Sequence, residues 1–194
     1  PTSPTFTLSS TIRVLNNNNH REMENNREES ADVAFTYTGD GCSIPKDITS
    51  VQFTEGLKNI EDDAFLDCGS LKVVTLNEGL QKIGNYAFKD CTSLESIALP
   101  STLTKIGNYA FCGCYYLLES ITIPSTVVEI GKSAFANCNN LREVEMNGVP
   151  QHIKSEAFSN CNALERFLFP TISKRLEDII QTSHWEELED KLNE

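Results

Sequence analysis

The stretch Gly107-Asn108-Tyr109-Ala110-Phe111-Cys112-Gly113-Cys114 contains an Ala-Phe pair with a cysteine three residues after the phenylalanine. The same arrangement recurs along the chain at steps of 23, 23, 24 and 23 residues. A fixed period of about 20 to 50 residues is typical of solenoids, in which a unit too small to bury its own apolar face stacks on its neighbours. The sequence therefore predicts a stack of short repeats. The five copies are Ala64-Phe65 with Cys68, Ala87-Phe88 with Cys91, Ala110-Phe111 with Cys114, Ala134-Phe135 with Cys138, and Ala157-Phe158 with Cys161.

Each repeat has the same apolar template around this pair. In Ile97-Ala98-Leu99-Pro100 the apolar residues alternate as in a half-buried strand, and proline ends the strand because it has no amide proton for a ladder. A second apolar pair, such as Leu103 and Ile106, follows before Ala-Phe. We predict an α/β fold with a parallel sheet on one face and short helical turns carrying Ala-Phe on the other. The predicted strands are Val51–Phe53, Val74–Leu76, Ile97–Leu99, Ile121–Ile123, Val144–Met146 and Phe167–Phe169.

Three segments differ in composition. Residues 1–33 are predicted to be a disordered arm, either a solvated linker or an interaction tail, because they are rich in asparagine and charge. Residues 34–170 are predicted to form the solenoid, with about five repeats of 23 residues, a degenerate first unit and an edge strand at Val33, Phe35 and Tyr37. In residues 171–194 the apolar side chains have helical spacing. We expect this segment to be a helical cap on the stack, with a helix that docks on a partner as the alternative.

The chain is acidic, with 16 Lys+Arg against 28 Asp+Glu in 194 residues and a net charge of −12. An acidic surface repels phosphate backbones and anionic lipids, which argues against nucleic acid and membranes as partners. No apolar stretch approaches the roughly 20 residues of a membrane-spanning helix. Neither a secretory leader nor an Asn-x-Ser/Thr sequon is present, which favours the cell interior. A leader missing upstream of Pro1 would instead allow the cell surface.

The repeats resemble the BspA-like leucine-rich repeat family. The resemblance rests on the recurring pattern Leu94-Glu95-Ser96-Ile97-Ala98-Leu99-Pro100-Ser101-Thr102-Leu103-Thr104-Lys105-Ile106-Gly107-Asn108-Tyr109-Ala110-Phe111. It implies a right-handed α/β solenoid, binding or adhesion as the general role, and neither enzymatic activity nor a fixed set of ligand residues. Departures from the pattern occur at Pro150, at Lys154 and in the degenerate unit at residues 42–47, so we expect weaker packing at both ends of the stack.

The cysteines could be structural, disulfide-bonded or metal-binding. Thiols spaced one per repeat lie along a line, whereas zinc requires ligands that converge tetrahedrally. Buried free cysteine behaves as a small apolar residue, which favours a reduced, buried column. Disulfides between neighbours and a metal site are the alternatives. Cys112 is out of register with the column. We expect Cys112 to be exposed, which makes it the candidate reactive thiol.

No catalytic or cofactor motif is recognisable. The histidines His20, His152 and His184 are not part of any nucleophile–base pattern, and we expect each to lie at the surface. The acidic residues at 61–63 and Asp67 could bind a cation weakly, but a solvated face near a helix start explains them better. We therefore expect no metal, no cofactor and no enzymatic activity.

The remaining candidate site is the outward side of the predicted sheet. Residues that alternate with the buried strand positions point away from the core and form rows across the repeats. Tyr86 and Tyr109 are expected to stack in adjacent units and to add an aromatic patch with Tyr115 and Tyr116. The candidate partner-binding residues are Thr75, Asn77, Ser96, Ala98, Ser120, Thr122, Glu143, Glu145 and Arg166.

These observations predict a monomeric, non-enzymatic scaffold that presents a leucine-rich-repeat surface to a partner protein. The alternative is a cell-surface adhesin or structural stalk. An enzyme that uses Cys112 or His152 is the third and least supported hypothesis.

Overall fold

The structure is a computed structural model that describes residues 33–39, 44–116 and 119–169. All of these residues belong to one compact unit, Asp32–Glu194. The predicted arm, apart from Val33, and the predicted helical cap at 171–194 lie outside the described residues.

Six strands follow the predicted positions, and a seventh precedes them. The alternating apolar residues create one buried side, as with Val51 and Phe53, which are 1% and 7% exposed. We call this set the front strands. They are β1 (Ala34–Tyr37), β2 (Ser50–Phe53), β4 (Val73–Thr75), β6 (Ser96–Ile97), β8 (Ser120–Ile123), β10 (Glu143–Met146) and β12 (Arg166–Leu168). All their pairings are parallel, and β1 covers β2 as the predicted edge strand.

A second parallel sheet, not foreseen from the sequence, runs beside the front strands. Its strands are two residues long, and all but the last carry one deeply buried isoleucine, such as Ile83 or Ile106. The sequence predicts a packing pair at these positions, but the backbone there also forms ladder hydrogen bonds in the order β11-β9-β7-β5-β3. We call them the side strands: β3 (Asn59–Ile60), β5 (Lys82–Ile83), β7 (Lys105–Ile106), β9 (Glu129–Ile130) and β11 (His152–Ile153).

The predicted helical turns are wrong for the described residues, where the Ala-Phe segments form hydrogen-bonded turns and no helix. The amides of Phe88 and Asp90 donate to the carbonyls of Ala110 and Cys112 in the next repeat, both at 2.8 Å. They are therefore not available for bonds within a helix. Tyr86 and Asp90 also have left-handed φ values of 56° and 58°, which interrupt a right-handed helix. Every described repeat has such residues on both sides of its Ala-Phe segment.

The core is a set of columns in which each repeat stacks the same side chain on the next. The phenylalanine rings are nearly parallel, with centroids 5.0 Å apart for Phe65–Phe88 and 5.3 Å apart for Phe88–Phe111. The backbones of neighbouring repeats also approach each other closely, in keeping with this separation of the rings. A Cβ added at Gly107 would lie 2.5 Å from the carbonyl carbon of Gly84, so this position admits no side chain.

The one longer interval interrupts the front strands but not the stack. Strand β6 ends a four-stranded sheet, β1-β2-β4-β6, and β8 begins a three-stranded sheet, β8-β10-β12. The additional residue falls between them, and residues 117–118 lie outside the described part. Meanwhile β7 and β9 pair normally, and the Phe111 amide donates to the Ala134 carbonyl at 2.7 Å. The longer interval thus coincides with the loss of one connection in the front ladder, while the side strands and the turns continue past it.

Phe111→Ala should destabilise the protein by about 3–5 kcal/mol, because the ring is fully buried between Phe88 and Phe135 and its removal leaves a cavity. Phe158→Ala should cost less, since Phe158 is 7% exposed and stacks face to face on one neighbour, Phe135. Denaturant unfolding of both variants measures the difference. Equal losses would contradict the nearest-neighbour description of the core.

Candidate functional site

The outward side of the front strands, which we call the front face, contains the nine residues predicted from the sequence. Seven of them lie in the front strands, where alternation directs their side chains away from the core; Asn77 and Ala98 follow the ends of β4 and β6. Six of them are exposed: Thr75, Ala98, Ser120, Thr122, Glu145 and Arg166. The other three, Asn77, Ser96 and Glu143, are partly buried. The Asn77 side chain donates to the Phe53 carbonyl at 2.5 Å and so belongs to the repeat junction as well as to the face.

Charge on the front face is confined to its carboxyl-terminal part. Arg166 pairs with Glu143 at 2.6 Å, and the Thr122 hydroxyl donates to Glu145 at 3.0 Å. The part formed by β2, β4 and β6 has only uncharged side chains on its outward side. Two exposed apolar residues also lie on the front strands, Val73 at 44% and Leu168 at 42%. The face therefore offers a neutral surface at one end and an ion-paired surface at the other.

The tyrosines form a second feature, located in the turns. Tyr86 and Tyr109 stack with ring centroids 5.0 Å apart and planes 4° apart, which confirms the predicted pair. Tyr115 and Tyr116 are exposed. One face of each ring packs against the other ring, so the pair stabilises the junction between the two repeats. The rings are also partly accessible to solvent.

The burial predicted for the cysteine column is confirmed. Cys68, Cys91, Cys114 and Cys138 are 0% exposed and unpaired, and Cys161 in the last repeat is partly buried. The expectation for Cys112 is wrong. Its thiol is buried, at 8% exposure, and accepts a contact from the Asn137 side-chain amide at 3.8 Å.

The column also has a hydrogen-bonding role that sequence reasoning missed. The thiols of Cys91 and Cys114 donate to the carbonyls of Phe65 and Phe88, 26 residues earlier, each at 3.2 Å. Cys138 and Cys161 make the same bond to the phenylalanine carbonyls of the repeats before them. A small apolar residue would fill the same space equally well. The occurrence of cysteine at all five positions was therefore the feature of the sequence that could have indicated these hydrogen bonds.

Burial controls the chemistry of these thiols. Desolvation raises the pKa of Cys91 and Cys114 well above the ordinary thiol value, and it also raises the pKa of Cys112. The thiolate is the reactive species, so a raised pKa lowers the reactivity expected of these groups in the folded chain.

The acidic residues at 61–63 have a structural partner. Both carboxylate oxygens of Asp62 accept from Asn85, at 2.8 Å from its backbone amide and 2.9 Å from its side-chain amide. These bonds lower the pKa of Asp62. The Asn85 side chain in turn accepts from the Asn108 backbone amide at 2.9 Å. Asp62 and Asn85 thus begin a series of side-chain hydrogen bonds that link successive repeats. No cluster of three or more potential metal ligands is present among the residues that the structure describes.

Of the three histidines, only His152 lies within the described residues, where it is exposed on the side strand β11. Its register partner is Glu129. No described helix has the length and apolar character that crossing a membrane requires.

Glu129 is the most strongly perturbed carboxylate described. It lies between Lys105, at 2.8 Å, and Lys154, at 2.7 Å, and so joins three consecutive repeats along the side strands. Hydrogen bonds from these two ammonium groups lower the pKa of Glu129 to about 2.

Glu129→Gln should therefore reduce stability in a pH-dependent manner. A lowered pKa means that the stabilisation is complete above the unfolded pKa, near 4.3, and is lost as pH falls towards 2. The loss at pH 7 should be about 1 kcal/mol, because the pair is partly solvated. Denaturant unfolding at pH 7, 4 and 2 measures it. Glu55→Gln, an exposed carboxylate, is the control, and an equal loss in that variant would contradict this role of Glu129.

Thiol labelling tests the burial of the cysteines. In the native protein, Cys68, Cys91, Cys112, Cys114 and Cys138 should stay unmodified, and all seven cysteines of the chain should react after denaturation without reductant. Mass mapping of the labelled peptides identifies which ones react. Rapid labelling of native Cys112, or disulfides in the unreduced sample, would contradict the structure.

Comparison with known proteins agrees with this architecture. No curated protein sequence matches the chain. Among solved structures, a leucine-rich repeat protein from Bacteroides ovatus is 24% identical, covers 71% of this chain and superposes with a TM-score of 0.50. This chain spans 41% of the Bacteroides protein. At this identity the likeness concerns the fold alone.

Two further structures are similar at lower scores. The T. pallidum leucine-rich repeat protein TpLRR is 22% identical, with coverage of 79% of this chain and 84% of its own and a TM-score of 0.48. The pneumococcal vaccine antigen PcpA is 20% identical, with coverage of 78% and 39% and a TM-score of 0.42. The sequence model of the BspA type leucine-rich repeat region matches residues 58–183 in six copies. The chain belongs to the BspA-type leucine-rich repeat family.

Proposed function

We propose that this chain is a non-enzymatic binding scaffold that holds a partner protein on its front face. The observation that carries the proposal is the set of outward side chains on the front strands, which are not needed for packing because the opposite side of each strand fills the core. Repeated strands fix these side chains at regular spacing, so the surface is formed before a partner arrives. A preformed surface lowers the entropic cost of binding.

The neutral part of the face is the best candidate for the centre of the contact. Val73, Thr75 and Ala98 are exposed there and carry no charge that would need to be desolvated. The ion pair of Arg166 with Glu143 lies at the other end, where a polar rim is expected. A partner that fits this arrangement has an apolar or neutral patch in its centre and charged groups at one side.

The proposal is tested by variants that place a long charged side chain on the face. Thr75→Arg and Ala98→Arg should weaken partner binding by about tenfold or more, because both positions would lie in the desolvated centre of the contact. Gln81→Arg is the matched control, since Gln81 is exposed next to the side strand β5. The partner is first captured from the native cell on the immobilised chain, and each variant is then titrated with it.

Melting curves must show that the three variants are folded. Equal affinities for the front-face and control variants would refute the front face as the site. A partner that resides on the surface of another cell would make the chain an adhesin that uses the same face.

A further inference from the structure

Asn147, at the end of β10, differs from most asparagines of the described repeats in how its side chain is held. The others bind a group in a neighbouring repeat through the side-chain amide or its oxygen. These are Asn77, Asn85, Asn108, Asn137, Asn139, Asn160 and Asn162. Asn147 is exposed, and within the described part of the chain no group hydrogen-bonds to its side chain. Its carboxamide is therefore free to rotate in solvent.

The equivalent residue three repeats earlier, Asn77, shows why Asn147 is free. The side chain of Asn77 donates to the Phe53 carbonyl of the preceding repeat at 2.5 Å. The carbonyl that corresponds to it for Asn147 belongs to Ile123, and this carbonyl accepts from the backbone amide of Asn147 at 2.9 Å. The main chain is thus fixed to the preceding repeat at this point, whereas the side chain is not.

The residue that follows has an accessible amide nitrogen. Asn147-Gly148 is the only Asn-Gly pair in the sequence, and no described group accepts from the Gly148 amide. Glycine has no Cβ, so its nitrogen can approach the carbonyl carbon of the preceding side chain with little hindrance. Asn140 is exposed as well, but it is followed by the buried side chain of Leu141, whose amide donates to the Cys138 carbonyl at 3.1 Å.

We propose that Asn147 is a site of spontaneous deamidation. The Gly148 nitrogen forms a bond to Cγ of Asn147, and the bond from Cγ to Nδ2 breaks, which closes a five-membered imide. The proton of the Gly148 amide leaves with the Nδ2 group as ammonia. Solvent water then opens the ring at one of its two carbonyl carbons and yields aspartate or isoaspartate. The net reaction exchanges ammonia for water and requires no oxidant, cofactor or enzyme.

The product changes one border of the front face in two ways. It adds a carboxylate two residues after Glu145, on the charged part of the face. Isoaspartate also inserts one carbon into the main chain, where a Cβ added at Gly148 would already lie 2.8 Å from the Cα of Ser125. The longer main chain must therefore move away from the preceding repeat. The effect on a partner rests on the proposed function, whereas the reaction itself does not.

Peptide mapping of the full folded chain after incubation at mildly alkaline pH tests this site. Trypsin releases residues 143–154, in which Asn147 is the single asparagine, and residues 133–142, which contain Asn137, Asn139 and Asn140. The first peptide should gain about 1 Da and become a substrate for an isoaspartate methyltransferase. The second should stay unchanged over the same period, because each of its asparagines is followed by a residue with a side chain.

Two references make the result specific to the fold and to this residue. A synthetic peptide of residues 143–154 gives the rate without a fold, and native Asn147 should react within about tenfold of it, since exposed segments are freed at little cost. Asn147→Gln is the matched variant, because its longer side chain closes a six-membered ring far more slowly. Its peptide 143–154 should stay unmodified, with an unchanged melting curve.

Three results would overturn the proposal. A native rate more than tenfold below that of the synthetic peptide would show that the fold keeps Asn147 from reacting. Modification of residues 133–142 as fast as that of 143–154 would show that the site is not selective. Isoaspartate in peptide 143–154 of Asn147→Gln would place the reaction at another residue. None of these measurements involves a partner, so they stand apart from a failure of the proposed binding function.

Discussion

Hydrogen bonds between one repeat and the next are the interaction on which the rest of this structure depends. They run along the front strands, the side strands and the turns, and among the described repeats only the front ladder between β6 and β8 is interrupted. This arrangement fixes the separation of equivalent atoms at about the spacing of strands in a sheet. Flat rings then stack at 5.0–5.3 Å, as Phe65, Phe88 and Phe111 do. The same separation excludes a Cβ at Gly107.

Side chains that bridge repeats obey the same separation. The thiol of Cys114, the carboxamide of Asn85 and the carboxylate of Glu129 each bind a group in an adjacent repeat. They differ in chemistry but have the same effect, because each satisfies a donor or acceptor between turns. A polar group in these columns is therefore tied to the stack. The front face differs because its exposed side chains make few such contacts with neighbouring repeats. The residue types at these positions can therefore change to suit a ligand.

The sequence predicts the parts of the fold that depend on which residues are apolar. The period located the front strands, the phenylalanine column and the buried cysteines, because burial follows directly from apolar spacing. The period does not predict those parts of the structure that depend on which hydrogen-bond partner a backbone group finds. The turn at residues 86–91 has the composition of a short helix, yet Phe88 and Asp90 bond to the next repeat and Tyr86 adopts a left-handed conformation. Cys112 was misjudged for a related reason, since its burial depends on Asn137 of the following repeat.

The candidate site could be predicted as a surface but not as a set of contacts. Alternation within strands is enough to name outward residues such as Thr75 and Glu145, whereas ion pairs such as Arg166–Glu143 depend on the register between strands. Charge collects on one part of the face because the outward residues of β10 and β12 are charged. The register places Glu143 beside Arg166 there, while β2 and β4 place Ser50 beside Val73. Among the described strands the front ladder is broken between β6 and β8, so β2, β4 and β6 lie in one sheet, and the charged strands β10 and β12 lie in the other together with the neutral strand β8. The break therefore falls one strand before the charge begins, and a partner that spans both sheets must match two surfaces of different character.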